Sequence, residues 1–221
     1  MGAQVRSVNV GAGRTGIGVK GRRTGIDKRP VGSVEVRDPG PKGTGLGSGV
    51  VGDDVLNGRH HGGSRQALYA VAREELDHWS RELGRELPDG CFGENLTTEG
   101  LDVDAALVGE RWRVGETLLE VTGPRVPCAN FAAWMGEKGW VKRFVAHGRS
   151  GAYLAVVEPG TIRPGDGVEV VHRPGHGLAV PVVLAAWFGD VAAARAALDS
   201  GALEGPDLAE LERVVARRRT P

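Results

Sequence analysis

Short alternating runs separated by glycine dominate the first half of the chain. Val5-Arg6-Ser7-Val8-Asn9-Val10 opens like a strand, and Gly32-Ser33-Val34-Glu35-Val36-Arg37 alternates apolar and polar residues as a half-buried strand does. Between 64 and 84 the period lengthens. Leu68, Ala72, Leu76, Trp79 and Leu83 recur at helical spacing, so the pattern predicts one helix over 64–84, stopped by Gly84 and Pro88. His78 lies beside that stripe on a charged face and reads as a surface residue. Residues 110–121 predict one or two strands kinked at Gly115, and 151–157 with 168–171 predict a further pair around the turn Pro164-Gly165-Asp166-Gly167. Many short strands with one long helix among them imply a mainly β protein with a barrel-like core.

After Arg173-Pro174-Gly175 the pattern changes again. Three short helical stretches fit at 180–188, 191–198 and 208–218, with Asp190 and Asp207 positioned to cap the second and third and Arg217-Arg218-Arg219 suited to the negative end of the last. The expected organisation is a domain over 1–174 and a small three-helix extension over 175–221.

Composition narrows the partners. The 36 glycines among 221 residues are about twice the usual share and follow no Gly-X-Y period, which implies many tight turns and close backbone approaches. The densest run, 39–49, has little apolar anchorage and is expected to be mobile. Lys plus Arg and Asp plus Glu both number 28, so the summed charge gives no reason to expect a nucleic-acid or membrane partner. Only two cysteines, Cys91 and Cys128, occur, and neither a long apolar run nor an N-terminal signal region is present; a soluble cytoplasmic protein with free thiols is expected rather than a disulfide.

Cys128 stands out for chemistry. In Val121-Thr122-Gly123-Pro124-Arg125-Val126-Pro127-Cys128, two prolines and a glycine fix a thiol in a shaped loop directly after an expected strand, beside a guanidinium that favours the thiolate. A small buried hydrophobe is the competing role for an isolated cysteine. Gly11, Gly13 and Gly16 spell the dinucleotide fingerprint, but Gly18, Gly21 and Gly25 interrupt the helix it requires; what survives is a basic glycine-rich loop able to meet a phosphate. His60-His61 lacks the further ligands of a plain zinc site, and a Cys128 pair with His61 or His147 has no surrounding protease signature.

Three segments, Arg59-His60-His61-Gly62-Gly63, Gly93-Glu94-Asn95-Leu96-Thr97-Thr98-Glu99-Gly100 and Pro124-Arg125-Val126-Pro127-Cys128, resemble in order and separation the MOSC domain, the molybdenum cofactor sulfurase C-terminal domain. Thr24-Gly25-Ile26 followed by Lys28, and the tail after His176-Gly177, resemble the free-standing bacterial subgroup that includes hydroxylaminopurine reductase. The resemblance covers nearly the whole chain. It implies a MOSC β-barrel-like core holding a molybdenum–molybdopterin cofactor, with Cys128 as metal ligand, Cys128 and His61 as catalytic residues, and Thr24, Lys28, Arg59, His61, Asn95, Thr97 and Arg125 lining the cofactor. It further implies reduction of small N-hydroxylated substrates to amines; because the sequence shows no haem, flavin or iron–sulfur signature, a separate electron-donor protein is expected, and a homodimer is left open. The alternative is a cofactor carrier or a sulfur-transfer protein acting through a Cys128 persulfide. Two features depart from the pattern: Ser64-Arg65 follows Gly63 where the family carries Pro-Asp, and 39–49 has the look of an insertion.

Overall fold

The computed structural model describes residues 2–56, 58 and 60–217. Among the described residues, ten strands and six α-helices follow one another in this order: β1 Gln4–Gly11, β2 Lys28–Val31, β3 Val34–Val36, β4 Leu68–Ala72, α1 Arg73–Leu83, β5 Leu96–Glu99, β6 Arg111–Val114, β7 Thr117–Pro124, α2 Ala129–Met135, α3 Trp140–His147, β8 Ala152–Glu158, β9 Gly160–Ile162, β10 Val168–His172, α4 Val180–Trp187, α5 Val191–Asp199 and α6 Gly205–Arg217. Eight strands form one sheet in the order β10-β6-β7-β8-β4-β5-β1-β2, and β3 pairs with β9. All pairs in the large sheet are antiparallel except β4 with β5, which α1 connects. The sheet curls until its ends meet: Gln4 bridges Gly167, and the Val168 amide donates to the Ala3 carbonyl at 2.9 Å. The barrel-like core expected from the short strands is therefore present.

The curl encloses Val5, Val8, Val36, Leu68, Ala70, Leu96, Trp112, Leu119 and Leu154, while α1, α2 and α3 cover the outer face with a second cluster of Tyr69, Val71, Leu76, Trp79, Phe92, Phe131, Trp140 and Phe144. Strand β4 serves both. Leu68, Ala70 and Ala72 point inward and Tyr69 and Val71 outward, so all five residues are buried. This corrects the helix expected over 64–84. Only 73–83 is α-helical, with a single 3-10 turn at Ser64–Gln66, because a strand covered on both faces reads as a continuous apolar run that periodicity cannot distinguish from buried helix. Gly84 does end the helix, in the left-handed region at φ 63°. Helices α2 and α3, absent from the expected order, supply Phe131, Trp140 and Phe144, half of the buried aromatic residues of the outer cluster.

Gly115 separates β6 from β7 at φ 54°, where an added Cβ would lie 2.4 Å from the Asp166 carboxylate; the expected kink is a hairpin turn. In the C-terminal region all three helices form. Asp190 caps α5, accepting from the amides of Ala192 and Ala193, which contributes about 1 kcal/mol for a cap of this kind. Asp207 does not cap α6: it lies within the first turn and pairs with Arg65 at 2.9 Å. Arg218 and Arg219 lie outside the described residues. The extension is joined to the sheet domain through backbone bonds, Val108 amide to Leu178 carbonyl at 3.0 Å and Val180 amide to Ala106 carbonyl at 3.1 Å, and through a shared apolar cluster in which Val108 packs with Leu178, Val183 and Leu211.

Candidate functional site

Strand β7 ends at Pro124 and hands the chain to Arg125, Val126, Pro127 and Cys128, after which α2 begins. Proline at 127 keeps the approach extended, and Cys128 itself is extended at φ −116°, ψ 169°, so the thiol is fixed at a strand-to-helix junction. Two hollows meet there. The inner one, about 780 Å³ including its mouth, is lined by Thr24, Lys28, Asp53, Asn95, Arg125 and Tyr69 among others. An outer one is lined by Val19, Arg22, His60, Val126 and Ala129. Cys128 and His61 border both.

Burial pushes the Cys128 thiol up, but a hydrogen bond with His61, the positive charge of Arg125 and the Phe131 amide outweigh it and bring the thiol down to about 6. It is therefore a thiolate at neutral pH, the form that binds soft metals or attacks electrophiles. Cys91, by contrast, is buried in the aromatic cluster, its thiol pushed up to about 12 first by burial and then by the charge of Glu94. Both thiols are free.

Arg125 is the site's distinctive cation. The residue is 6% exposed, its guanidinium carbon lies 3.8 Å from the Phe131 ring centroid and 5.2 Å from that of Tyr69, and Nη1 has no hydrogen-bond partner among the described residues. Ring faces attract the charge but accept no directed bond. A buried guanidinium short of one acceptor beside an open hollow suits an anionic ligand.

The remaining expectations divide. Thr24 and Asn95 do line the inner hollow. So does Lys28, but its ammonium is held by Asp53, both side chains being buried, so it is already neutralised within the protein. Thr97 is a correction: it is fully buried, donates to Glu94 at 3.0 Å and accepts from Asn9 at 3.0 Å, so it supports the loop and does not reach the hollow. Arg59 lies outside the described residues. His147 lines neither hollow that Cys128 borders: it bonds Glu75 at 2.7 Å and stacks on His78, 4.3 Å between ring centroids, so His78 is packed against a partner and not simply solvated.

Sequence reasoning missed Asp53, which organises the floor. It accepts from the Gly11 amide at 2.8 Å, Ser48 Oγ at 2.8 Å and Asn95 Nδ2 at 3.1 Å as well as from Lys28, joining four segments. Two of those segments are glycine-rich, and the glycines have a purpose. Gly62 and Gly63 adopt φ 79° and 81°; a Cβ on Gly62 would lie 2.4 Å from the Gly47 carbonyl, and the Gly63 amide donates to that same carbonyl at 2.9 Å. The 39–49 loop is thereby tied to the histidine turn by backbone bonds instead of apolar contacts. Residue types alone gave no signal of that pairing. The fingerprint-like glycines open no helix: Gly11 belongs to β1 and the loop beyond it is a short hairpin bridged at Arg14 and Thr24.

Comparison with known proteins agrees with this architecture. The MOSC domain matches residues 57–169. The protein YflK of Bacillus subtilis is 33% identical over 178 residues, covering 80% of this chain and 76% of that protein. A Gibberella moniliformis protein named reductase is 31% identical over 132 residues, which is 58% of this chain but 23% of that longer protein. Among solved structures, YiiM from Geobacillus stearothermophilus superposes with a TM-score of 0.74 at 27% identity, covering 96% of this chain and 99% of that one.

Proposed function

Because this chain belongs to the MOSC domain family, we propose that Cys128 ligates the molybdenum of a molybdenum–pterin cofactor seated in the inner hollow, and that the loaded protein reduces N-hydroxylated compounds to amines. The observation that carries this reading is the Cys128 sulfur at the junction of two hollows, in a site that also holds Arg125, whose Nη1 has no hydrogen-bond partner among the described residues. A soft sulfur and a buried cation are the two donors that a metal bearing a phosphorylated pterin requires.

In this reading the cofactor supplies the two-electron chemistry, and the protein supplies binding, orientation and protons. Arg125 takes the phosphate. Thr24 and Asn95 offer polar contacts to the pterin, Asn95 being held in position by Asp53. His61, which borders both hollows together with Cys128, is the proton donor to the departing oxygen. The reaction consumes two electrons and two protons per hydroxylamine and yields one amine and one water. Electrons come from a separate donor protein. The name of the fungal relative favours reductive chemistry.

The test is turnover: protein expressed in a host that makes the pterin cofactor is expected to convert phenylhydroxylamine to aniline with reduced methyl viologen as donor, and Cys128→Ala is expected not to. Cofactor binding and release to an acceptor enzyme with no turnover would overturn the reductase reading in favour of a carrier.

A further inference from the structure

The outer hollow differs from the inner one in charge. The inner hollow is lined by Asp53 and Asp54 beside its cations, whereas no carboxylate lines the outer one among the described residues. Arg22, exposed at its wall, has no carboxylate within 4 Å among the described residues, while neighbouring Arg23 lies 3.5 Å from Asp54 and donates to the Gly13 carbonyl. Arg22 is also firmly carried. Its amide donates to the Val19 carbonyl, its carbonyl accepts from Gly18, and the Val19 amide donates at 2.9 Å to Asn130 Oδ1, two residues beyond Cys128. The short turn bearing Arg22 is thus tied to the segment that bears the thiol. Val126 and Leu56, each 41% exposed, give the same hollow an apolar lining.

We propose that the outer hollow is a substrate subsite that selects compounds with an apolar body and an anionic group, the anion being held by Arg22. This rests on the reductase reading above, and its substrate class is therefore an anion-bearing hydroxylamine. The reaction is R–NHOH plus two electrons and two protons giving R–NH2 and water, with a reduced viologen as the electron source in the assay. Arg22 acts by charge-assisted hydrogen bonds to a carboxylate or phosphate, so its contribution is strongest at low ionic strength.

Two arms test the proposal. In the first, kcat/KM of the loaded protein is measured for phenylhydroxylamine and for its 4-carboxylate, 4-phosphate and 4-trimethylammonium analogues. The anionic substrates are expected to exceed the neutral one by about tenfold in 50 mM salt, the cationic one to be poorest, and Arg22→Gln to bring the anion-to-neutral ratio close to one. The phosphate analogue separates a phosphate preference from a general anion preference. In the second arm, binding of the products 4-aminobenzoate, 4-aminophenyl phosphate and aniline to the protein is followed by NMR, without turnover. The anions are expected to bind about tenfold more tightly, an advantage lost in Arg22→Gln. Equal kcat/KM for neutral and anionic substrates overturns this proposal and leaves the reductase reading standing. Absence of all turnover sinks that reading instead, and the product-binding arm then decides the charge preference alone: equal binding of aniline and the anions overturns it.

Discussion

The guanidinium of Arg125 lies 3.8 Å from the Phe131 ring centroid, yet its Nη1 has no hydrogen-bond partner among the described residues. A buried cation satisfied by ring faces but short of an acceptor lowers stability until an anion arrives. Arg125→Met is therefore expected to leave the cofactor-free protein as stable as before or about 1–2 kcal/mol more so, by urea unfolding, while cofactor retained through purification falls at least about tenfold. Loss of stability with undiminished retention would show the charge to be structural only.

Asp53 and Lys28 give the opposite expectation. Removing the carboxylate strands a buried ammonium together with the donors from Gly11, Ser48 and Asn95. Asp53→Ala is expected to cost about 3–5 kcal/mol, and Lys28→Met in the same chain to restore part of it. A loss under about 1 kcal/mol in the single variant would place both groups in solvent.

Stability should also depend on pH through two buried acids. Burial pushes Glu94 up from 4.5 to about 7 and Asp104 up from 3.8 to about 6. Because the folded state keeps these protons longer than the unfolded chain, their contribution is full below the ordinary values and is lost as pH rises through the folded ones. Urea midpoints measured from pH 4 to 8.5 are expected to reveal a decline on the order of 1–3 kcal/mol from these groups. Glu94→Gln should flatten the part nearest pH 7, whatever it does to absolute stability by altering the bonds from Gly90, Phe92 and Thr97. An unchanged slope would remove Glu94 as the source.

The C-terminal helices are expected to be indispensable to the sheet domain. Ending the chain at Pro174 would expose Val108 and leave the carbonyl of Ala106 without Val180. Such a chain should aggregate or melt at least about 10 °C lower in differential scanning, consistent with loss of several kcal/mol of apolar burial. A soluble truncated protein with the original melting temperature would make the extension an independent unit.

Periodicity and turn chemistry exposed the half-buried elements: β3 alternates as Val34-Glu35-Val36 implies, Gly84 ends α1, and Asp190 caps α5. It failed at β4, where Tyr69 and Val71 feed one cluster and Leu68 and Ala70 the other, because burial on both faces erases the alternation. Motif order likewise brought Thr24, Lys28, His61, Asn95, Arg125 and Cys128 to one hollow. Polar type alone could not separate Asn95, which lines it, from Thr97 two residues on, which β5 turns inward towards Glu94. Asp53 escaped notice because three of its four donors, from Gly11, Lys28 and Asn95, come from segments distant in sequence, and only the folded chain assembles them.

The most direct measurement is molybdenum and pterin per protein chain, by metal analysis and by fluorescence of the oxidised pterin, in protein from a cofactor-making host. Close to one of each is expected in the natural chain and in Cys91→Ser, and molybdenum below about one tenth in folded Cys128→Ala, the loss that follows removal of a thiolate ligand. Full molybdenum in Cys128→Ala, or none in the natural chain, would contradict molybdenum ligation by Cys128.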